Sequence, residues 1–580
     1  MGVRFVSPWV CVLFLSYACG DDSSLDAAVD ASTDVPVDAG PDFFDPDRVI
    51  EVAIELDPAD WETLRAQERD FLDILGGEDC RAAPFASPFT WFEARVTVEG
   101  TTLDRVGVRK KGFLGSLSRE KPSLKIELDE LVENQLLFDT ERMTLNNAQQ
   151  DPGYLDQCLG FRMFERAGVP APRCNFAHVT VNGEDMGLYV HVEPVKKRFL
   201  RRWFEDDEGD LFEGTLSDFR PSWTATFEQK TNRETPASFA RIEALSDALQ
   251  LPDAELLPAV EALIDVDAFL RFWATEVLIG HIDGYASNTN NFFVYDDPVS
   301  ARMHFLPWGN DQAFLDGNPV RPGPATPVFA NGMLANRLYD IAETRDRYRA
   351  EMIRLLDDVW DADDLLAEID RIEALTRPYL QPRDFERGYE ETMARTRIFI
   401  EDREARMRDA IAVSPDASPE PRTLDCLVAN GTIEGTFDTE WGTLGIEDPF
   451  AAGVGAGSTL TMVLDGETQE FTMLASTAGF EIPDDEPPRD VVLFWAPRSN
   501  GIITIVFVRT DPGELVSGFS APFAFGSTAG AVIDFDTRVP TPPVLVAFLL
   551  GGGLTVEEAT QVDGARVFGT VSAELYPSFF

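Results

Sequence analysis

The sequence predicts an α+β protein in which a strand-rich lobe precedes a helix-rich lobe, followed by a separate all-β domain. Three observations support this prediction. Residues 48–129 hold alternating apolar and polar runs, residues 236–412 have a chiefly helical pattern, and residues 425–580 hold short β-rich runs between Gly, Pro and Asp turns. A chain of 580 residues also exceeds what one hydrophobic core usually supports.

The first 47 residues are expected to precede the folded domains. Residues 1–18 combine Arg4 with the apolar run VCVLFLSYA and resemble a bacterial lipoprotein signal peptide, after which Cys19 would carry the lipid. The acidic residues 19–47 predict an extended tether. No later run reaches the roughly 18–20 apolar residues of a membrane-spanning helix. The folded part is therefore expected in the cell envelope, on the outer membrane or cell surface.

Charge and cysteine content narrow the function classes. A formal net charge of -52 argues against binding to nucleic acid or anionic membranes, which require clustered Lys and Arg. It favours divalent cations or basic protein partners, although a general contribution to solubility explains it equally well. Cys80, Cys158, Cys174 and Cys426 allow up to two disulfides in three pairings. Scattered histidines and the absence of C-x-x-C argue against a zinc site.

Local patterns predict the elements of the two lobes in order. RVIEVAIEL alternates as a strand, and DPADWETLRAQ supplies a capped helix start. Three further strands are predicted in WFEARVTVEG, LDRVGVRKKG and SLKIELDE, then a helix from about Tyr154 to Ala167. FAHVTVNG and MGLYVHVEP form a hairpin around an Asn-Gly turn. Residues 413–424 are a linker by composition, and residues 425–580 predict a β-sandwich-like domain.

The stretch HIDGYASNTNNFFVYDD, which follows a long apolar helix, is the strongest candidate for a catalytic loop. His281, Asp283 and Asn288 have the H-x-D-x-x-x-x-N spacing of the protein-kinase catalytic loop. In that loop the Asp accepts the proton of the attacking hydroxyl and the Asn binds a metal on the nucleotide phosphates. The alternative is a solvated loop of turn-forming residues.

Two neighbouring features would complete such a site. A predicted β-hairpin delivers Asp311 close to the loop, where a second carboxylate can hold Mg²⁺. Upstream, GVRKKGFLGSLSREKPSLKIELDE is the conspicuous basic cluster of this acidic chain, and its strand points Lys125 away from Leu124 and Ile126. A Gly-containing loop followed by a strand Lys suits an anionic ligand such as a nucleotide, and an ordinary solvated strand edge is the alternative.

Residues 48–412 resemble the CotH-type (spore coat protein H) secreted atypical protein kinases. VRKKGFLGSLSREKPSLKIELDE is similar to the family's arginine–glycine block before a lysine-rich strand, and VTVNGEDMGLYVHVEPVKKRFL is similar to its NGxxxGxYxxxE segment. DGYASNTNNFFVYDD followed by FLPWGNDQAF is similar to its Asp–Asn–aromatic and Pro-Trp-Asp blocks. The resemblance implies a bilobal kinase-like fold, ATP with Mg²⁺ or Mn²⁺, and phosphorylation of Ser or Thr on an extracytoplasmic protein.

The resemblance also implies residue roles. Asp283 matches the base and Asn291 the Asn before the aromatic strand, while Asn288 matches the general kinase spacing, so either Asn is a candidate metal ligand. The basic and acidic candidates for nucleotide binding come from the blocks quoted above. They are Arg109, Lys111, Lys121, Lys125 and Glu193. Lys125 is the expected phosphate-binding lysine, with the other two lysines as competitors. For Glu193 a structural ion pair is the alternative.

One departure from the family pattern bears on catalysis. The family's Pro-Trp-Asp is Pro-Trp-Gly in this chain, with Gly309 in the place of the metal-binding Asp and Asp311 two residues later. We expect Asp311 to substitute; otherwise the metal site is impaired. The competing hypothesis is therefore a catalytically impaired, kinase-like surface lipoprotein with a structural or interaction role. A hydrolase is not supported, because no Gly-x-Ser-x-Gly elbow occurs.

Overall fold

The structure is a computed structural model that describes residues 43–232, 239–316, 327–421, 425–481, 489–523, 528–538 and 542–577. These residues form two compact units, the first comprising residues 43–69 and 81–421 and the second comprising residues 70–80 and 425–577. The predicted signal peptide, the lipid-bearing Cys19 and the tether up to residue 42 lie outside the described residues.

Strands of the first unit form two sheets. The strands are β1 (Val49–Leu56), β2 (Phe92–Val98), β3 (Thr101–Lys111), β4 (Ser123–Glu127), β5 (Arg142–Asn146), β6 (Cys174–Val181), β7 (Glu184–Val192), β8 (Asp210–Gly214), β9 (Glu228–Gln229), β10 (Phe292–Asp297) and β11 (Arg302–Pro307). The first seven close into one sheet in the order β1-β2-β3-β4-β5-β7-β6, and the others form a sheet in the order β11-β10-β8-β9.

Helices dominate the second half of the first unit, as the sequence pattern predicts. The helices of the described chain are α1 (Pro58–Ala66), α2 (Leu72–Leu75), α3 (Asp156–Ala167), α4 (Lys197–Trp203), α5 (Ala240–Ala248), α6 (Asp253–Glu261), α7 (Val266–Leu278), α8 (Tyr285–Asn288), α9 (Met333–Asp340), α10 (Ala342–Asp358), α11 (Ala362–Thr376), α12 (Pro382–Glu386) and α13 (Tyr389–Ala412). All but α2 belong to the first unit. None in the described ranges is both long and apolar enough to cross a membrane.

Alternation along the strands explains which face of the closed sheet is filled. Leu124 and Ile126 of β4 lie in the apolar core inside the sheet, together with Val108 of β3. Lys125, between them in sequence, lines a cleft on the other face. Period-two alternation thus fixes both the core and the polar outer face, as predicted.

A disulfide between Cys158 and Cys174 links α3 to β6, 16 residues apart in sequence. Because a crosslink of this span restricts the unfolded chain, the Cys158→Ser/Cys174→Ser double variant is expected to lose about 3 kcal/mol of unfolding free energy. Urea unfolding of the full chain measures this loss. The difference from wild type should vanish in reductant; a difference that persists in reductant would assign the loss to packing instead.

The second unit is all-β, with one short helix, α2. Its strands are β12 (Gly431–Glu440), β13 (Thr459–Leu464), β14 (Glu467–Thr468), β15 (Ala475–Glu481), β16 (Arg489–Pro497), β17 (Ile502–Thr510), β18 (Ser520–Pro522), β19 (Ala529–Asp536), β20 (Val544–Glu558) and β21 (Arg566–Pro577). The order is β14-β13-β12-β21-β20-β19-β17-β16-β15, with β18 on β20.

The all-β prediction for residues 425–580 is confirmed, with one difference in architecture. The strands make one continuous sheet instead of the two separate sheets of a sandwich. The sheet curls until Trp441, just after β12, bridges Ala478 of β15, and it encloses one apolar core. Strong strand twist accounts for this curling in a sheet of many strands.

Residues 70–80 join the second unit although they lie inside the predicted 48–412 domain. A disulfide joins Cys80 to Cys426, 346 residues apart, and Leu427 donates its N–H to Leu75 at 2.6 Å. Gly77 donates its N–H to the Leu427 carbonyl at 2.9 Å. These contacts settle the second of the two disulfide pairings.

Candidate active site

Asp283 lies between α7 and α8, and the asparagines that follow it clamp its carboxylate in place. Its Oδ1 accepts from Asn288 Nδ2 at 2.5 Å, and its Oδ2 accepts from Asn291 Nδ2 at 2.8 Å and Asn290 Nδ2 at 3.3 Å. The carboxylate is only 1% exposed. The asparagine run therefore fixes the carboxylate in one orientation. Asn290, which sequence reasoning did not single out, belongs to this clamp.

Buried Glu276 of α7 supports the same loop from below. Its carboxyl oxygens accept from the backbone N–H groups of Tyr285 and Ala286, each at 2.9 Å. Burial raises the pKa of Glu276 to about 8. These two N–H groups belong to the first turn of α8, where backbone N–H groups have no partner within the helix. Glu276 supplies the missing acceptors. The sequence pattern gave no sign that Glu276, an acidic residue in a mainly apolar helix, would support this loop.

The loop holding Asp283 is tied directly to the one holding Asp311. Ile282 donates its N–H to the Gln312 carbonyl at 3.1 Å, and Trp308 donates its N–H to the Asn291 carbonyl at 3.1 Å. Burial lowers the pKa of His281 to about 4, so its ring is neutral at physiological pH. The predicted convergence of the two loops is thus present in the structure.

A side chain at Gly309 would collide with Asn291. Gly309 has a φ of +48°, in the left-handed region, and a Cβ placed on it would lie closer to Oδ1 of Asn291 than van der Waals contact allows. A carboxylate at 309 is therefore incompatible with the present placement of Asn291. An aspartate at position 309 would require the Asn291 side chain to move.

Asp311 is buried two residues further along. Burial raises the pKa of its carboxyl to about 7, while the nearby Lys111 ammonium opposes that rise. Within the described chain Oδ1 of Asp311 has no hydrogen-bond partner, and neither has Oδ1 of Asn291. Buried oxygens of this kind normally have a partner, so both are available to a ligand.

A small cleft that is open to solvent lies beside these loops. It is lined by Lys111, Lys125, Arg142, Thr144, Pro194, Val195, Lys196, Glu213, Lys230, Phe293 and Trp308. Five of these eleven side chains are basic and one is acidic, the reverse of the balance in the whole chain. The cleft therefore suits an anionic ligand.

Lys111 is held at the cleft by a relay of neutral side chains. Its Nζ donates to Asn146 Oδ1 at 2.5 Å, and Asn146 Nδ2 donates to Gln157 Oε1 of α3 at 2.7 Å. Sequence reasoning missed Asn146 and Gln157, because they are distant in sequence from Lys111. Their positions, at the end of β5 and in the first turn of α3, were the available signal.

Lys125 shares the cleft with Lys111 and lies on the same face. In the β3–β4 pairing it opposes Arg109, and in the β4–β5 pairing it opposes Thr144, another cleft residue. Both predicted lysines thus line the cleft. Which of them grips phosphate stays a prediction.

The other predicted nucleotide-binding residues lie in structural networks. Lys121 donates to the Tyr154 hydroxyl at 2.6 Å, and burial lowers its pKa to about 7. Arg109 donates to Ser87 Oγ at 3.0 Å, with its guanidinium over the Trp91 ring. Neither residue lines the cleft.

Glu193 lies in ion pairs with two arginines. Its Oε1 accepts from Arg173 at 3.0 Å and its Oε2 from Arg202 at 2.5 Å. The structural ion pair, one of the two alternatives for this residue, is therefore present. A role for Glu193 toward nucleotide stays a prediction.

The residues around Asp311 fit a hard divalent cation. No group of three or more His, Cys, Asp or Glu side chains able to hold a metal occurs in the described ranges. Mg²⁺ is nonetheless usually bound through one or two carboxylates plus substrate phosphates and water. The unpartnered oxygens of Asp311 and Asn291 supply donors of this type. Both Asn288 and Asn291 donate their Nδ2 to Asp283, and Asn291 is favoured as the ligand because its Oδ1 is buried without a partner in the described chain.

Comparison with known proteins identifies relatives of the chain. Residues 108–407 match the family model for the CotH kinase protein. Inner spore coat protein H of Bacillus subtilis is 22% identical over 249 residues, covering 41% of this chain and 68% of that protein. Spore coat protein homolog 1 of Rhizopus delemar is 23% identical over 217 residues, covering 35% of this chain and only 33% of that protein.

Among solved structures, the chain matches the proinflammatory kinase CtkA of Helicobacter pylori, known from a crystal structure. The two chains are 8% identical, with a TM-score of 0.27, and the match covers 51% of this chain and 92% of the CtkA chain. The family match is the decisive comparison, since it spans 300 of the 580 residues. It also includes the cleft, the Asp283 loop and Asp311. The chain therefore belongs to the CotH kinase protein family.

Proposed function

We propose that this chain is an ATP- and divalent-metal-dependent protein kinase that phosphorylates Ser or Thr of an extracytoplasmic protein. One observation carries the proposal: the loops of Asp283 and Asp311 are hydrogen-bonded to each other beside a basic cleft in an otherwise acidic chain. Phosphoryl transfer needs these parts together, because its catalysis is chiefly positioning and charge stabilisation.

Each side chain has a defined task in this proposal. Asp283 accepts the proton of the substrate hydroxyl, with its orientation fixed by the asparagine clamp. Lys111 and Lys125 bind the phosphates of ATP by charge-assisted hydrogen bonds. Asp311 and Asn291 would hold Mg²⁺ or Mn²⁺, which supplies charge neutralisation on the phosphates when bound.

The proposal places the enzyme outside the cytoplasm. Its support is the lipoprotein-like residues 1–19 with the acidic stretch that follows, and the spore coat names of the relatives. Two disulfides are consistent with an oxidising compartment. The expected partners are an extracytoplasmic protein substrate and the membrane, through a lipid on Cys19.

The proposal is tested by following label from γ-labelled ATP into protein, using the purified full chain with Mg²⁺ or Mn²⁺. We expect incorporation on Ser or Thr that is abolished by EDTA. An absence of nucleotide binding with either metal would overturn the proposal.

Nucleotide affinity provides a separate prediction for the cleft. Lys111→Ala is expected to weaken ATP binding about 10- to 100-fold, the value of a hydrogen bond to a charged group. We expect a smaller loss in Lys125→Ala, because Lys111 is the lysine that acts electrostatically on Asp311. Calorimetric titration with ATP and Mn²⁺ measures both. Lys197→Ala is the matched control, since Lys197 pairs with Glu208 outside the cleft.

A second candidate is a kinase-like surface protein that binds nucleotide without transferring phosphate. It is favoured by the deep burial of Asp283, whose two carboxylate oxygens both accept amide hydrogen bonds. Saturable ATP binding by the full chain together with no label transfer to any protein would select this candidate.

A further inference from the structure

The first turn of α3 carries a buried carboxylate, that of Asp156, which does not cap the helix. Asp156 is the first residue of α3 and is 1% exposed. The first N–H of the helix is satisfied by Asp151, whose Oδ2 accepts from the Asp156 N–H at 2.8 Å. The Asp156 carboxylate instead accepts from the N–H of Ala313, which places it against the segment that follows Asp311.

Four buried side chains in this region retain unpaired polar atoms. They are Asp151 Oδ1, Asp156 Oδ1, Asp311 Oδ1 and both polar atoms of the Asn310 amide, none of which has a hydrogen-bond partner in the described part of the chain. Asn310 is completely buried, and its side chain packs on Gly160. Gly160 lies one turn after Asp156, on the same face of α3.

The buried carboxylates at this contact are poorly placed to carry negative charge. Burial raises the pKa of Asp156 well above its usual value. The like charges of Asp151 and then Asp311 add to that rise, while Arg395 opposes it. Buried ionised carboxylates without a partner are strongly unfavourable. The atoms of this group that can bind a cation are the carboxylate oxygens and the Asn310 amide oxygen, since an amide nitrogen is a hydrogen-bond donor. Oxygen sets of this kind suit Mg²⁺, Mn²⁺ or Ca²⁺ and not softer metals.

We propose that Asp156 is a second carboxylate ligand of the cation held by Asp311, with the Asn310 amide oxygen beside it. Gly309 carries no carboxylate, and in this proposal α3 supplies the one that the 308–311 turn lacks. This inference deepens the proposed function and rests on it for the role of the cation toward nucleotide. The cation site itself is testable without nucleotide.

The test is a Mn²⁺ titration of the EDTA-treated full chain, with free Mn²⁺ followed by electron paramagnetic resonance. Salt of about 0.15 M screens the surface carboxylates. We expect one tight site, weakened at least tenfold in both Asp156→Asn and Asp311→Asn. Asp218→Asn is the matched control: Asp218 is equally buried but hydrogen-bonded to Tyr285 and Met333, and its variant should bind within twofold of wild type.

Melting temperature separates ligation from a structural role. Without cation, Asp156→Asn should melt no lower than wild type, since it removes a like charge and keeps an acceptor for Ala313. With Mn²⁺, wild type should gain stability and the variant should not. Asp156→Glu, which restores a carboxylate, should recover part of the Mn²⁺ affinity.

Two outcomes would overturn the inference: wild-type Mn²⁺ affinity in Asp156→Asn, or a cation-free melting loss that Asp156→Glu does not recover. Repeating the titration with ATP separates the two proposals. An Asp156-dependent Mn²⁺ site without ATP binding would reject the proposed function and leave the inference standing. ATP–Mn²⁺ binding that is unchanged by Asp156→Asn would reject this inference and leave the proposed function standing.

Discussion

Replacing Asp283 by asparagine is expected to lower phosphoryl transfer by about 10²- to 10⁴-fold, because the variant removes the proton acceptor. The amide also presents an N–H to donors that already point at this position, Nδ2 of Asn288 and of Asn291. The rate of label transfer from γ-labelled ATP measures the effect at saturating nucleotide. ATP affinity should change much less, since Asp283 does not line the cleft.

The matched control for this prediction is Asp297→Asn at the end of β10. Asp297 accepts from the N–H groups of Val299 and Ser300 at 3.1 and 3.0 Å in a surface turn. Its variant should transfer phosphate at the wild-type rate. Equal rates for wild type and Asp283→Asn would remove Asp283 as the base.

Restoring the family's aspartate at position 309 is expected to damage the protein. The left-handed φ of +48° and the contact with Asn291 oppose any side chain at this position. We expect Gly309→Asp to lower the free energy of unfolding by about 1–3 kcal/mol and to weaken ATP–Mn²⁺ binding by displacing Asn291. Denaturant unfolding and calorimetry measure the two effects.

Gly183→Asp separates backbone strain from the clash. Gly183, in the β6–β7 turn, has a φ of +81°, and an added Cβ there meets no atom within 4 Å. The two variants should share the strain, while only the one at position 309 should lose ATP–Mn²⁺ binding. A gain of phosphoryl transfer in Gly309→Asp would show that the 308–311 turn rearranges and that Asp311 is not the substitute ligand.

Local patterns predicted much of the fold because local physics determines it. The Asn-Gly turn placed the β6–β7 hairpin, and alternation placed Lys125 on the outer face of β4. Asp57, the predicted cap, accepts from the N–H of Ala59 at the start of α1. In each case the residues that decide the structure are within a few positions of one another.

The features that escaped prediction depend on contacts between distant segments. Lys111 reaches Asn146 across 35 residues, and residues 70–80 join a unit that otherwise begins at residue 425. The backbone φ of Gly309 and its contact with Asn291 also arise only when two loops meet. The family's Pro-Trp-Asp block pointed to a missing ligand at Gly309, whereas the contact with the Asn291 side chain became visible only in the structure.

The most direct test of the central claim is label transfer from γ-labelled ATP by the purified full chain, with and without EDTA. We predict phosphate on Ser or Thr of a protein substrate, dependent on Mg²⁺ or Mn²⁺ and reduced at least 100-fold in Asp283→Asn. Label that never exceeds the Asp283→Asn level with either metal would contradict the account.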